Sequence, residues 1–218
     1  MLRKRRYTDN LETYLFLCKT LAVHPEDFPK ELNKALAENY PINFLPGSKK
    51  YAYGALLIKS FELDLDTRED LSFLLLDAGA DVNKLDPLKN NALMSAIRNE
   101  CSIPLIEAIF RKTDNINHTN TLGHTALGNL CYKYLQLSTL TEDDVVNRYQ
   151  KALLRILRQF LDSGAKPSLD MRWTSYNNAL RIDRVAKAIS ELTTFLQIYS
   201  EQKSSMTNST EPVYDYEL

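Results

Sequence analysis

The sequence predicts an all-α protein that is built from repeated helix-turn-helix units. One observation is a segment that occurs twice, at 74–83 and at 160–168: an apolar helix end, then a glycine, then a short polar exit. Another is the tetrapeptide Asn-Asn-Ala-Leu at 90–93 and 177–180, which has an altered third copy within 123–127. Self-similarity of this kind is typical of repeat proteins, so the repeat decides the fold class.

The spacing between the landmarks defines the register of the repeat. The interval from Ala92 to Ala126 equals the interval from Asn83 to Asn117, and this repeat spacing is about 34 residues. The equivalent intervals upstream are longer, at about 37 and about 40 residues, which indicates a short insertion there. Downstream, the interval from Ala126 to the next Ala-Leu landmark is about 53 residues, which indicates roughly 20 additional residues within 131–152.

These motifs resemble the ankyrin repeat, a unit of ~33 residues. In that family Gly-x-Thr-Pro-Leu-His opens the first helix, and Leu-Leu-x-x-Gly-Ala-Asp-Val-Asn closes the second. The chain departs from the family at the histidine position, which holds Leu57, Met94 and Gly128, and the threonine is kept only as Thr125. The resemblance therefore implies a degenerate array that is less regular and less stable than a consensus one.

The resemblance implies one domain over 1–199 and a tail over 200–218. About five units are expected, at 11–44, 45–83, 84–117, 118–168 and 169–199, with the insertion in the fourth. The end units are the least regular, as expected for repeats that have one face in water and cap the stack. The tail is polar and lacks periodicity, so we expect it to be disordered.

In the third unit the helix starts can be predicted from capping residues. Asn90 or Asn91 can cap the first helix through its side-chain oxygen. Ser102 can cap the second helix, with Pro104 in its first turn, where a missing N–H costs little. Apolar residues then recur at helical spacing and predict the buried faces, namely Ala92, Leu93, Ala96 and Ile97 on the first helix and Leu105, Ile106, Ile109 and Phe110 on the second.

The helix ends are predicted from residues that tolerate a left-handed conformation. Gly79 and Gly164 follow the last apolar turn of their units, and Asp114 and Asn115 stand at that place in the third unit. In the fourth unit Thr141 and the acids that follow it predict a helix start. We therefore expect a loop over 136–140 and a second helix that is longer by two or three turns.

At the N-terminus, residues 1–6 are rich in Lys and Arg, but no apolar stretch of a signal peptide follows them. Instead, five residues at helical spacing predict an amphipathic capping helix: Leu11, Tyr14, Leu15, Cys18 and Leu21. No sufficiently long apolar segment is present to span a membrane. The expected location is cytoplasmic, or a host cytosol if the protein is a translocated effector.

Charge and cysteine content narrow the possible functions. The chain has 27 basic and 28 acidic side chains, so there is no electrostatic case for binding nucleic acid or an anionic membrane. Its three cysteines are widely spaced and form neither a metal-ligand pair nor a disulfide framework. We expect no metal, no other cofactor and a monomer.

No arrangement of residues predicts catalysis. His118 and His124 are too far apart to share a helix face, with no cysteine or carboxylate that completes a ligand set. A Cys131–His124 dyad is conceivable along the chain, but Cys131 stands where the family has a small buried residue. We therefore expect a protein that is not an enzyme.

The resemblance implies a binding function, because a repeat array offers a long concave surface of finger turns and first helices. The expected partner is another protein, of unknown identity. Alignment of the family's variable surface positions with this chain assigns the contact residues to Tyr51, Tyr53, Phe61, Leu88, Asn90, Arg98, Asn99, Leu122, His124, Tyr132 and Lys133.

Two alternatives belong to other functional classes. The tail segment 211–218 resembles a tyrosine-phosphorylation motif of secreted bacterial effectors, with Tyr214 and Tyr216 as candidate sites. The protein would then be a translocated effector whose repeats engage a host protein. The other alternative is an enzyme or toxin subunit whose chemistry the sequence does not reveal.

Overall fold

A computed structural model of the protein describes residues 9–46, 55–137, 144–166, 190–192, 194–198 and 201, with the backbone alone at 144–147. The regular secondary structure in these residues is helical throughout, without a strand. The α-helices up to residue 166 are α1 (Asn10–Val23), α2 (Phe28–Ala37), α3 (Leu56–Ser60), α4 (Leu65–Asp77), α5 (Ala92–Arg98), α6 (Ile103–Phe110), α7 (Ala126–Leu137) and α8 (Asp144–Asp162), and residues 190–192 and 194–198 are helical as well. A 3₁₀ turn, Pro25–Asp27, joins α1 to α2. None of these helices is long and apolar enough to cross a membrane.

These eight helices form four pairs, and each pair contacts the next along the chain. In every pair the two helices pack against each other: α1 with α2, α3 with α4, α5 with α6 and α7 with α8. The first helices of the pairs also contact one another in chain order, from α1 through α3 and α5 to α7. The second helices α4, α6 and α8 form a parallel series of contacts. Each pair therefore buries its apolar faces against its neighbours as well as within itself.

Side-chain caps fix where α1, α4, α5 and α6 start. The Asn91 side chain accepts the Met94 N–H at 3.0 Å, and Ser102 Oγ accepts the Leu105 N–H at 3.3 Å. The predicted cap of α6 is thus confirmed, and of the two asparagines it is Asn91 that caps α5. Acidic caps start the earlier helices, Asp9 at α1 and Asp64 at α4. Each cap satisfies one backbone donor that the helix itself leaves unpaired.

Each of the four pairs has a second helix: α2, α4, α6 or α8. In three of them, a residue with a left-handed backbone conformation follows the helix. Gly79 and Gly164 have φ values of 85° and 87°, as predicted, and Asn39 takes the same role after α2 with φ of 64°. The prediction for the third unit is wrong, because neither Asp114 nor Asn115 has a positive φ. There the chain leaves α6 through backbone bonds of the 3₁₀ type, such as Lys112 N–H to Ile109 O.

The insertion in the fourth unit lengthens both of its helices. α8 has 19 residues where α6 has 8, which confirms the predicted extension. α7 has 12 residues where α5 has 7, so the predicted loop start at Gln136 is wrong and the helix continues to Leu137. Thr141, the expected cap of α8, lies outside the described residues.

The apolar core runs through all four helix pairs. The buried faces expected for α5 and α6 are confirmed, with Phe110 partly buried and stacked on Phe160 at a ring-centroid distance of 4.6 Å. The expected face of α1 is only partly right, because Leu11 and Leu15 are exposed while Leu17 is fully buried. The buried residues of α1 are Thr13, Tyr14, Leu17, Thr20 and Leu21.

An asparagine side chain bridges each pair to the next, with the same two hydrogen bonds each time. Asn43 Nδ2 donates to Gly79 O at 3.1 Å, and Asn43 Oδ1 accepts the Asp81 N–H at 2.6 Å. Asn83 donates to Lys112 O and accepts the Asp114 N–H, at 3.3 and 3.0 Å. The third bridge joins Asn117 to Gly164 O and the Lys166 N–H, at 3.0 and 2.7 Å. These bridges satisfy backbone groups at the exits of α4, α6 and α8.

Replacing Gly79 by valine should destabilise the fold by about 1–3 kcal/mol, because a β-branched residue resists positive φ. No atom lies within 4 Å of the position that a Cβ would occupy at Gly79, so the cost comes from backbone strain and not from a clash. Chemical denaturation of the purified variant measures the loss. Gly79→Asn is the matched control, since Asn39 adopts this conformation in the same chain. Equal midpoints for the valine and asparagine variants would contradict this account.

Replacing Asn83 by alanine should cost about 1–2 kcal/mol, because both of its bridging hydrogen bonds are lost at once. The denaturation midpoint again reports the change. Asn129→Ala is the comparison, because the Asn129 amide makes a single long bond of 3.5 Å to Met94 O and lies within α7, where alanine is favoured. An Asn129 effect as large as that of Asn83 would argue against the bridge as a source of stability.

Candidate functional site

Two tight turns of the same construction precede the first helices α5 and α7. They are named here the finger turns and comprise residues 86–90 and 120–124. In the first, Asp86 Oδ1 accepts the N–H groups of Leu88 and Asn90 at 2.8 and 2.7 Å, and Asp86 Oδ2 accepts Asn90 Nδ2 at 2.8 Å. The backbone closes the turn, with Asp86 N–H bonded to Asn90 O at 2.9 Å. The short side chain of Asp86 therefore holds the whole turn in one shape.

The second finger turn repeats this construction one repeat spacing further along the chain. Asn120 Oδ1 accepts the N–H groups of Leu122 and His124, both at 2.9 Å, and Asn120 N–H bonds to His124 O at 3.0 Å. The left-handed residue of the first turn is Lys89, with φ of 61°, and its counterpart in the second turn is Gly123, with φ of 77°.

Two hydrogen bonds join the two finger turns to each other, and a third joins His118, just before the second turn, to the first turn. The Thr121 N–H donates to Leu88 O at 2.9 Å, and Asn120 Nδ2 donates to Asn90 Oδ1 at 2.9 Å. The ring of His118 donates through Nε2 to the carbonyl oxygen of Lys89 at 2.7 Å. The two turns thus form one connected edge, and a ligand that contacts both would order little additional backbone.

Exposed leucines occupy equivalent places on the finger turns. Leu88 is 48% exposed and Leu122 is 55% exposed, and one repeat spacing separates them. Both were predicted as contact residues. His124, at the end of the second turn, is also exposed. Large apolar side chains at the tips of turns that are already ordered resemble the anchors found in protein interfaces.

The first helices α5 and α7 contribute polar and aromatic candidate residues, in addition to the leucines of the finger turns. Arg98 on α5 is exposed, and Tyr132, the residue one repeat spacing later on α7, is 41% exposed. Asn99 is only half-buried and donates its side-chain amide to Ser95 O at 2.8 Å. Because α5 and α7 pack side by side, their equivalent positions point in a similar direction.

Three predicted contact residues are not surface residues. Phe61 is 1% exposed and belongs to the core at the end of α3. Asn90 is 3% exposed, and its side-chain amide is hydrogen-bonded to both Asp86 and Asn120. Lys133 is 6% exposed and forms an ion pair with Glu100, the residue after the cap of α5. These three residues are buried, so their side chains are not exposed for a partner to contact.

Four further predicted residues lie outside the described residues. They are Tyr51 and Tyr53, in the segment before α3, and the two tail tyrosines Tyr214 and Tyr216. Their assignment as contact or phosphorylation sites stays a prediction.

A buried polar cluster that the sequence did not predict lies at the far ends of the first helices. Arg68 on α4 is 6% exposed and donates to the carbonyl oxygens of Phe61 and Asn99, at the ends of α3 and α5. The neighbouring Glu69 carboxylate accepts the N–H and the hydroxyl of Ser102 at 2.9 and 2.6 Å. A cation at helix C-termini and a carboxylate at a helix N-terminus both match the helix dipoles. This cluster holds α3, α5 and α6 together.

The described cysteines have the properties of structural thiols. Burial raises the pKa of both Cys101 and Cys131 to about 12, so these thiols remain protonated near neutral pH. His124 is exposed while Cys131 is buried in α7, so the structure does not bring the two together as a nucleophile and its base. Among the described residues, no group of three or more His, Cys, Asp or Glu side chains could hold a metal ion.

Comparison with known proteins does not assign the chain to a family. No protein-family model matches the chain, and no curated protein is significantly similar to it.

The stability of the protein should fall as pH rises above about 8.5, the ordinary pKa of a free thiol. The pKa of Cys101 and of Cys131 is raised in the folded state, so the unfolded chain loses these protons first and is favoured between about 8.5 and 12. Urea midpoints measured from pH 7 upward test this. A Cys101→Ala, Cys131→Ala double variant is less stable at pH 7 but should show a flatter decline. Parallel declines in the two proteins would contradict the assignment to these thiols.

Proposed function

We propose that the chain is an ankyrin-repeat protein that binds another protein through its finger turns and first helices. The paired helices, the contacts between successive first helices and the recurring turns all support this reading. The two finger turns and the exposed ends of α5 and α7 then belong to one concave surface. Such surfaces are how solenoid proteins bind their partners.

The observation that carries the proposal is the pair of exposed leucines, Leu88 and Leu122. Each stands at the same place of a turn whose backbone is held by side-chain hydrogen bonds and by the neighbouring turn. Full burial of an exposed leucine side chain contributes about 1.5–3 kcal/mol, and binding could bury about half of that surface on each of these leucines. A rigid turn loses little entropy when it is bound, so most of that gain is retained.

The size of the surface is adequate for a specific complex. Neighbouring helix pairs pack ~10 Å apart, so three units would present about 20–30 Å of contact length. An ordinary interface buries ~800 Å² on each partner. Arg98 and Tyr132 would flank the leucines, and arginine and tyrosine are among the residues that contribute most binding energy in protein interfaces.

Replacing both Leu88 and Leu122 by aspartate should abolish specific capture of the partner from a native lysate, because both anchors become charged while the turns keep their hydrogen bonds. Quantitative mass spectrometry of the captured proteins, wild type against variant, is the readout. The fold is monitored by circular dichroism, since a variant that unfolds is not informative about binding.

The matched control is Leu65→Asp. Leu65 is 63% exposed, more than either finger leucine, but it begins α4, a second helix. An aspartate there favours the helix dipole and should not destabilise the fold. Capture that survives the finger substitutions but is lost with Leu65→Asp would place the interface on the second helices and overturn the proposal.

A further inference from the structure

We infer that the protein forms a homodimer in which the α1 helices of two copies pair antiparallel about a two-fold axis. This inference is independent of the proposed function, because it rests on helix α1 and not on the finger turns. It follows from an exposed apolar stripe on α1 and from two charged side chains beside that stripe. The monomer expected from the sequence would then be the state at low concentration only.

Helix α1 is apolar on two faces, and the core covers only one of them. The buried face includes Tyr14, Leu17 and Leu21. The other face carries Leu11 and Leu15, which are 39% and 38% exposed although α1 packs against both α2 and α3. Two leucines one helical turn apart therefore lie on a side of α1 that its neighbours leave open.

The exposed face has the residue spacing of a coiled-coil seam. It is named here the α1 stripe and comprises Leu11, Leu15, the half-buried Cys18 and the exposed Ala22. The intervals alternate between about four and about three residues, which is the heptad pattern of a and d positions. When a second copy lies antiparallel on this stripe, Leu15 meets its Cys18 and Leu11 meets its Ala22. Each layer thus sets a large side chain against a small one, which favours close packing.

The charges beside the stripe complement one another across the same two-fold axis. Glu12 and Lys19 are exposed on one flank of the stripe, and neither forms an ion pair in the part of the chain that the structure describes. They are about 10 Å apart along the helix, too far to pair with each other. Reversing the second helix places its Lys19 beside Glu12 and its Glu12 beside Lys19. Both charges of each copy would be paired at once, as flanking charges are in coiled coils.

The other flank of the stripe explains why the pair is antiparallel. Lys59 and Glu62 lie near Cys18 on that side, and they form an ion pair with each other at 2.9 Å. In a parallel pair, the flank with Glu12 and Lys19 would meet this already paired flank of the second copy. In an antiparallel pair the first flank meets itself, and its opposite charges match.

The size of the contact sets its strength. Helix α1 has 14 residues, and at 1.5 Å per residue it is about 20 Å long. One helix of this length offers less than the ~800 Å² per partner of an ordinary interface. Interfaces at the small end of the size range belong to weak complexes, so we expect a dimer that forms reversibly as concentration rises.

Sedimentation equilibrium of the full chain tests the dimer between about 1 µM and about 1 mM, a range that covers weak dissociation constants. The mass should rise from that of one chain towards that of two. Leu15→Glu should weaken the dimer by about tenfold or more, because it places two carboxylates in the seam. Leu65→Glu is the matched control, since Leu65 is 63% exposed but lies on α4. A constant mass of one chain, growth beyond two chains, or equal effects of the two variants would overturn the inference.

Charge variants test the antiparallel arrangement. Glu12→Lys and Lys19→Glu should each leave the protein monomeric, because like charges then face each other across the axis. An equimolar mixture of the two variants should form a heterodimer, in which every facing pair is again of opposite charge. Circular dichroism verifies that each variant is folded. A mixture that stays monomeric, or single variants that associate as strongly as wild type, would refute the antiparallel pair.

The protein partner of the proposed function is the competing occupant of the stripe. If wild type stays monomeric and Leu15→Glu reduces capture of the partner from the lysate, the stripe belongs to that interface and the dimer is wrong. If the Leu88/Leu122 variant loses capture but still dimerises, the two surfaces are separate and both proposals are supported.

Discussion

The asparagine bridges are the interaction on which the rest of the arrangement depends. A helix pair that ends in solvent leaves the carbonyl and N–H groups of its exit turn unpaired. Asn43, Asn83 and Asn117 each reach from one pair to the exit turn of the next and satisfy a carbonyl and an N–H together. An amide has a donor and an acceptor side by side, so it can form both bonds at once. Each bridge fixes the position of one pair against its neighbour.

Two other kinds of contact complete that alignment. At the start of α5 and α7, the finger turns are bonded to each other through Thr121 and Asn120, and His118 bonds to the first turn. At the other end, Arg68 and Glu69 join α3, α5 and α6. Of the first helices, α5 is therefore held at both ends.

The strained and the exposed residues of the finger turns can be understood together. Polar groups of the turns form hydrogen bonds within the turns themselves. The two leucines, in contrast, are exposed to solvent. Lys89 takes a conformation suited to glycine and thereby places a cation beside Leu88. Ordered backbone and exposed apolar area therefore come from the same few residues of the finger turns.

The sequence by itself determined the helical repeat, its spacing and most helix ends, because caps such as Asn91 and Ser102 and turns such as Gly79 act locally. Tertiary contacts decided what local patterns leave open. Apolar residues at helical spacing lie on two faces of α1, and only packing selects Leu17 over Leu15. α6 ends without a left-handed residue, through backbone bonds of the 3₁₀ type such as Lys112 N–H to Ile109 O. Lys133 is buried because Glu100 of the neighbouring pair neutralises it, a fact that no repeat alignment contains.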